Sequence, residues 1–199
     1  MPFDPPLHGQ TPIDDISGLL DRSITTTSEL NAAEAENIRK AVLRYLAAKP
    51  TSKQAPFDLS WSKQLHAQML ADVWAWAGRV RTTELNMGSA PHAIETDLHN
   101  LLEDLHEWHE TDMPVLEQAV RLHHRAVVIH PFINGNGRWS RMLANIWLKQ
   151  HDAPVVLWPE TTIGTESTIR SQYIQALQAA DQGDMSPLIE LHAQHQDPG

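Results

Sequence analysis

The sequence predicts a mainly α-helical domain with one short non-helical insertion. Three observations carry this. Apolar residues recur at three- and four-residue spacing over most of the chain, proline and glycine fall mainly between these runs, and one segment, RVRTTELNMGSAP (79–91), departs from the helical period.

Residues 1–27 are rich in Pro, Gly and Asp and read as an extended, loosely packed lead-in. A helix is expected over 28–50, with Leu30, Ala33, Ile38, Val42 and Tyr45 near helical spacing and Lys49-Pro50 as its end. A second follows Ser60 and places Trp61, Leu65, Met69, Val73 and Trp76 on one face before Gly78. Residues 79–91 are expected to be extended, as a short hairpin. Ile94, Leu98, Leu101, Leu105 and Trp108 define a third amphipathic helix. A fourth is expected after Asp112 as N-cap, with Leu116, Ala119, His123, Ala126 and His130 in register. Another runs from near Gly137 to about Gln150, and the last two are expected near 163–181 and 187–195, with Ser186-Pro187 opening the final one.

Composition narrows the function. The chain has 199 residues, 41% hydrophobic and 20% charged, which suits an ordinary globular domain. It has no cysteine, which excludes disulfides, zinc–thiolate sites and thiol nucleophiles. MPFDPPLHGQ lacks the features of a signal peptide, and no stretch reads as a membrane span, so the expectation is a soluble, cytoplasmic protein with no membrane partner. A net charge of -10 argues against direct nucleic-acid binding and makes a local basic cluster informative.

That cluster lies in HPFINGNGRWSR, residues 130–141. Asn-Gly pairs favour hairpin turns, but both flanks have helical rather than alternating spacing. A glycine-rich loop running into a helix N-terminus fits an anion site instead, because glycine lets successive N–H groups converge on one oxyanion. Arg138 in the first turn opposes the helix dipole, and a bound anion would reverse that penalty. With Arg141 three residues on, the loop reads as a polyphosphate cradle, and His130 at its lip is a candidate general base.

These residues resemble the Fic motif, HPFx(D/E)GNGRxxR, at His130, Pro131, Phe132, Gly135, Asn136, Gly137, Arg138 and Arg141. HAQMLADVWAWAGRVRTTELNMG is similar to the family's helix–WAG–flap segment, and the likeness extends over roughly 30–195, especially to the branch known as mobile mystery protein B. The resemblance implies a mainly α, Fic-type helical bundle with a short β-hairpin flap over 51–199, preceded by a candidate inhibitory helix. It implies transfer of AMP from ATP, with Mg²⁺, to a Tyr, Thr or Ser hydroxyl of a target protein. His130 would be the base. Gly135, Asn136 and Gly137 would form the anion hole, with Asn136 near the α-phosphate, and Arg138 and Arg141 would hold the distal phosphates. Thr82, Thr83, Glu84, Leu85, Asn86, Met87 and Gly88 would form the flap that docks the target by strand addition. Asn134 stands where the family usually has an acidic residue for Mg²⁺; its neutral amide can ligate a hard cation only weakly, so the metal would bind mostly through the phosphates.

The family's inhibitory pattern, (S/T)xxxE(G/N), is matched at Glu36 and Asn37, but Ala32 replaces its Ser or Thr. Glu36 is therefore the expected inhibitory residue, paired with Arg141. Two alternatives remain open. One is a nucleotide-binding or toxin–antitoxin-like module with little catalysis and a partner protein. The other is a metallohydrolase using His106, His109, His123, His124 and His130 around Glu107. Doc-type phosphotransfer is less well matched, since that branch has Lys where this chain has Gly137.

Overall fold

The computed structural model describes residues 16–159 and 168–198. They contain seven helices: α1 Thr27–Leu46, α2 Leu59–Leu70, α3 Ile94–His109, α4 Val115–Ile129, α5 Asn136–Gln150, α6 Thr168–Asp181 and α7 Ser186–Gln194. Among the described residues, strand pairing is limited to two isolated antiparallel bridges, Leu19 with Trp74 and Val156 with Gln196. The mainly α expectation holds. No described helix is long and apolar enough to cross a membrane.

A capping box starts α1: the Thr26 side chain accepts the Glu29 N–H, and the Glu29 carboxylate accepts the Thr26 N–H. The helix buries Leu30, Glu34, Asn37, Ala41 and Tyr45. This stripe is rotated from the expected one; Val42 is exposed. The rotation follows from polar satisfaction against α2 and the residues after it. Asn37 donates to Gln68 O (3.1 Å) and accepts the Asp72 N–H (2.9 Å), while Tyr45 OH donates to Gln68 Oε1 (2.8 Å). Those bonds also end α2 at Leu70, well before Gly78, because Asp72 gives its N–H to Asn37 rather than to a helical carbonyl.

Residues 16–26 are more tightly held than a loose lead-in. Leu19 is buried, Leu20 N–H donates to Val73 O, and Ala75 N–H donates to Gly18 O. Residues 1–15, and the start of the helix expected near 163, lie outside the described residues. Asp112 does not cap α4; Pro114 precedes the helix with its φ near the helical value, and no side chain caps it.

The centre of the fold is α5, buried at every position from Trp139 to Leu148 and packed on α4. The loop 130–135 joins these two helices, so the candidate site sits on the most enclosed pair of elements. α1, α2 and the segment 79–90 close over it.

Candidate active site

His130 ends α4 in the left-handed region (φ 51°, ψ 58°), which costs a non-glycine residue on the order of 1 kcal/mol or more. The conformation turns the chain sharply and puts a buried imidazole at the loop's entrance. The ring hydrogen-bonds to the Val127 backbone, so one nitrogen carries a proton and the other is the basic one. Burial, then the Arg81 guanidinium, push its pKa down to about 4. The imidazole is therefore neutral at pH 7 and able to accept a proton.

The loop is stapled from within. Asn136 Oδ1 accepts the Phe132 N–H (2.9 Å) and its Nδ2 donates to Phe132 O (2.8 Å). Both ends of that amide are thereby engaged, which fixes the Asn136 side chain against Phe132 and sets its backbone N–H at the helix start. Gly135 takes φ +81°, and a Cβ there would lie 2.6 Å from Leu70 Cδ1, so side chains are excluded on two grounds. The first α5 bond runs from Trp139 N–H to Gly135 O, which leaves the Asn136, Gly137 and Arg138 N–H groups at the helix start.

From below, His66 fixes the loop. Its Nδ1 accepts the Gly78 N–H (2.9 Å), so in the neutral ring Nε2 carries the proton and donates to Asn134 O (3.0 Å). The ring stacks on Phe132 at 3.7 Å, and burial pushes its pKa down to about 3. His66 escaped the sequence reading, yet it shares the stripe of Ser62 and Leu70, both buried. A wider apolar face for α2 would have included it.

The two arginines diverge. Arg138 pairs with Glu34 (Nη1 to Oε2, 2.6 Å), whose other oxygen accepts Trp74 Nε1–H (2.7 Å). Arg141 is buried, its guanidinium over the rings of Trp158 and Tyr173 at 5.9 and 5.8 Å. The expected contact of Glu36 with Arg141 is not what the structure contains. Glu36 lies on the outer face of α1, its side chain 53% exposed, paired with Arg39 at 2.8 Å. Glu34, two residues earlier and only 2% exposed, faces the site instead. Glu34 falls one turn after Leu30 on the stripe that reaches Tyr45, but what buries it is its distant partners Trp74 and Arg138.

Segment 79–90 has no strand ladder, so the expected hairpin is a loop. The Arg81 side chain takes the place of cross-strand pairing: Nη1 donates to Thr83 O and Nη2 to Ser89 O. The loop is fastened to the His130 turn by Arg81 N–H to Pro131 O and Ser89 N–H to Ile129 O.

For Mg²⁺ the loop offers one neutral side-chain oxygen, Asn134 Oδ1, which already accepts the Gly135 N–H at 2.5 Å. These donors do not fit a hard divalent cation. The histidines do not assemble a metal site either. His106 and His109 lie near Trp147, His123 bonds His192 and Tyr173, and His124 bonds Asp181. Among the described residues no three His, Cys, Asp or Glu are placed to hold a metal.

Residues 56–148 match the model of the Fic/DOC family. The chain is 29% identical over 161 residues to the protein adenylyltransferase fic-1 of Caenorhabditis briggsae, covering 78% of this chain and 30% of that one. It is 31% identical over 135 residues to the protein adenylyltransferase Fic of Drosophila ananassae, covering 65% and 26%. It thus spans about a third or less of these relatives' length. By fold it resembles a Fic-1 fragment from C. elegans (TM-score 0.69, 22% identity, 88% of this chain and 50% of that chain). It also resembles the effector BepC from Bartonella tribocorum with bound AMPPNP (TM-score 0.68, 19% identity, 95% and 97%).

Proposed function

From the Fic/DOC domain that the chain carries at residues 56–148, we propose that it is a protein adenylyltransferase, moving AMP from ATP to a hydroxyl of a target protein. The observation that carries this is the union, across the short loop 131–135, of a neutral buried imidazole with an α5 N-terminus flanked by two arginines. The names of its relatives and the AMPPNP held by a protein of the same fold support it.

In this reading the target's hydroxyl oxygen attacks the α-phosphorus and the bond to the β-phosphate breaks. Pyrophosphate leaves, and the hydroxyl proton passes to the basic nitrogen of His130. The N–H groups of Asn136, Gly137 and Arg138 face the developing charge, and Arg138 and Arg141 hold the distal phosphates. Mg²⁺ enters only as a companion of the triphosphate, and no step depends on it. Residues 82–88 receive the target, which carries Tyr, Thr or Ser, in the cytoplasm.

Glu34 serves as the brake: with Arg138 held by Glu34, a triphosphate must displace a carboxylate to bind. That pair, with the neutral Asn134, also favours the second reading, a nucleotide-binding module acting with a toxin–antitoxin-like partner. Incubation with α-labelled ATP separates the two. Self-labelling that rises in Glu34→Gln and disappears when His130→Ala is added is the expected result; nucleotide binding with no labelling even in Glu34→Gln overturns transfer.

A further inference from the structure

Arg81 is 2% exposed, yet all three of its side-chain hydrogen bonds go to backbone carbonyls: Nε to His130 O (2.8 Å), Nη1 to Thr83 O (2.9 Å) and Nη2 to Ser89 O (2.5 Å). Burying a guanidinium costs several kcal/mol, and a loop could be closed with neutral donors. The position of the charge needs another reason. A Cβ on Gly88 would fall 2.6 Å from Arg81 Nη2, 2.7 Å from His130 Cβ and 3.0 Å from Ile129 O, so loop, guanidinium and histidine meet at one point. We propose that Arg81 is a positioning residue that fastens loop 82–89 to the His130 turn, holding the target-docking segment and the base as one body. This rests on the reading of His130 as the base.

The cation has an electrostatic consequence beyond its hydrogen bonds. It stands beside the imidazole and, after burial itself, is the main influence holding His130 neutral. The charged groups facing the pair are Arg81 and, on the same loop, Glu84; α4 contributes the Val127 carbonyl. One side chain thus sets both where the base sits and how readily it takes a proton.

The test is an NMR titration of the His130 ring, with amide exchange over residues 82–89, in the full chain. Arg81→Gln removes the charge, and the His130 pKa should rise by about one unit. Arg81→Lys keeps the charge but not the fork, so the titration should stay near wild type while exchange in 82–89 speeds up by about tenfold or more. Both should lower kcat for self-labelling while the KM for ATP stays within about twofold. Gly88→Ala, which pushes on the same point, should reproduce the exchange of Arg81→Lys and decides the matter if Arg81→Gln does not fold. A His130 titration in folded Arg81→Gln superimposing on wild type, or unchanged exchange in Arg81→Lys and Gly88→Ala, overturns the proposal. If Glu34→Gln, like the wild-type chain, never labels itself, adenylyl transfer fails as a reading, while titration and exchange still judge Arg81.

Discussion

Replacing Glu34 by Gln should tighten nucleotide binding. The Glu34 side chain is 3% exposed and that of Arg138 28%, with N to O at 2.6 Å. With charge centres about 4 Å apart and an effective dielectric of about 20, the attraction is on the order of 4 kcal/mol. Desolvation of the carboxylate offsets much of it, leaving about 1–3 kcal/mol that a triphosphate must overcome to engage Arg138, roughly 5–150-fold in affinity. Glutamine keeps the length of the side chain and an oxygen for the Trp74 indole N–H, so the packing of α1 is retained and only the charge is lost. Calorimetric titration with a non-hydrolysable ATP analogue reads the effect, and Glu36→Gln is the internal control. Glu36 is solvated and paired with Arg39, so its replacement should leave affinity unchanged. An affinity for Glu34→Gln within twofold of wild type, or an equal gain from Glu36→Gln, would refute the reasoning.

Two further outcomes concern stability. Burial pushes His66 down to a pKa of about 3 and His192 to about 4, and lowers His123 as well. The unfolded chain takes up these protons near pH 6.5 and the native state does not, so stability present above pH 6.5 should fall as pH drops from there toward 4. Each such proton contributes a slope of about 1.4 kcal/mol per pH unit. A urea midpoint that stays constant from pH 7 to 5 would contradict this. His66→Phe keeps the stack on Phe132 but leaves Gly78 N–H and Asn134 O without their partner, which should cost about 2–4 kcal/mol. Denaturant unfolding measures that cost, and nucleotide affinity should fall with it because the anion loop loses its support.

Much of this molecule was legible because local and global preferences agree. In α3 the apolar spacing from Ile94 to Leu105 is also what the core receives. In residues 130–141, glycines, flanking helical periods and arginines each point to an anion site from the sequence alone. Where reading failed, a long-range polar partner decided. Asn37 and Glu34 are buried because Gln68, Asp72, Trp74 and Arg138 satisfy them, and a hydrophobic pattern cannot register that. The same holds at 79–90, where the loss of helical period suggested a hairpin but one guanidinium supplies the cross-links. Arg81 gave no local signal, since its three acceptors are backbone atoms.

The burial of α5 along nearly its whole length has a dynamic consequence. Amide groups in α5 from Trp139 onward should exchange only on global unfolding, together with α1, whose Leu30, Ala41 and Tyr45 lie in the same core. The 82–89 loop, held to the His130 turn by the Arg81 fork and two backbone hydrogen bonds, exchanges instead by local opening. The two classes of event are then separated in time: the cradle persists for the lifetime of the fold while the loop beside it opens and closes faster. A ligand that selects among conformations of this protein therefore acts through the periphery, and the phosphate loop offers it a single, fixed template.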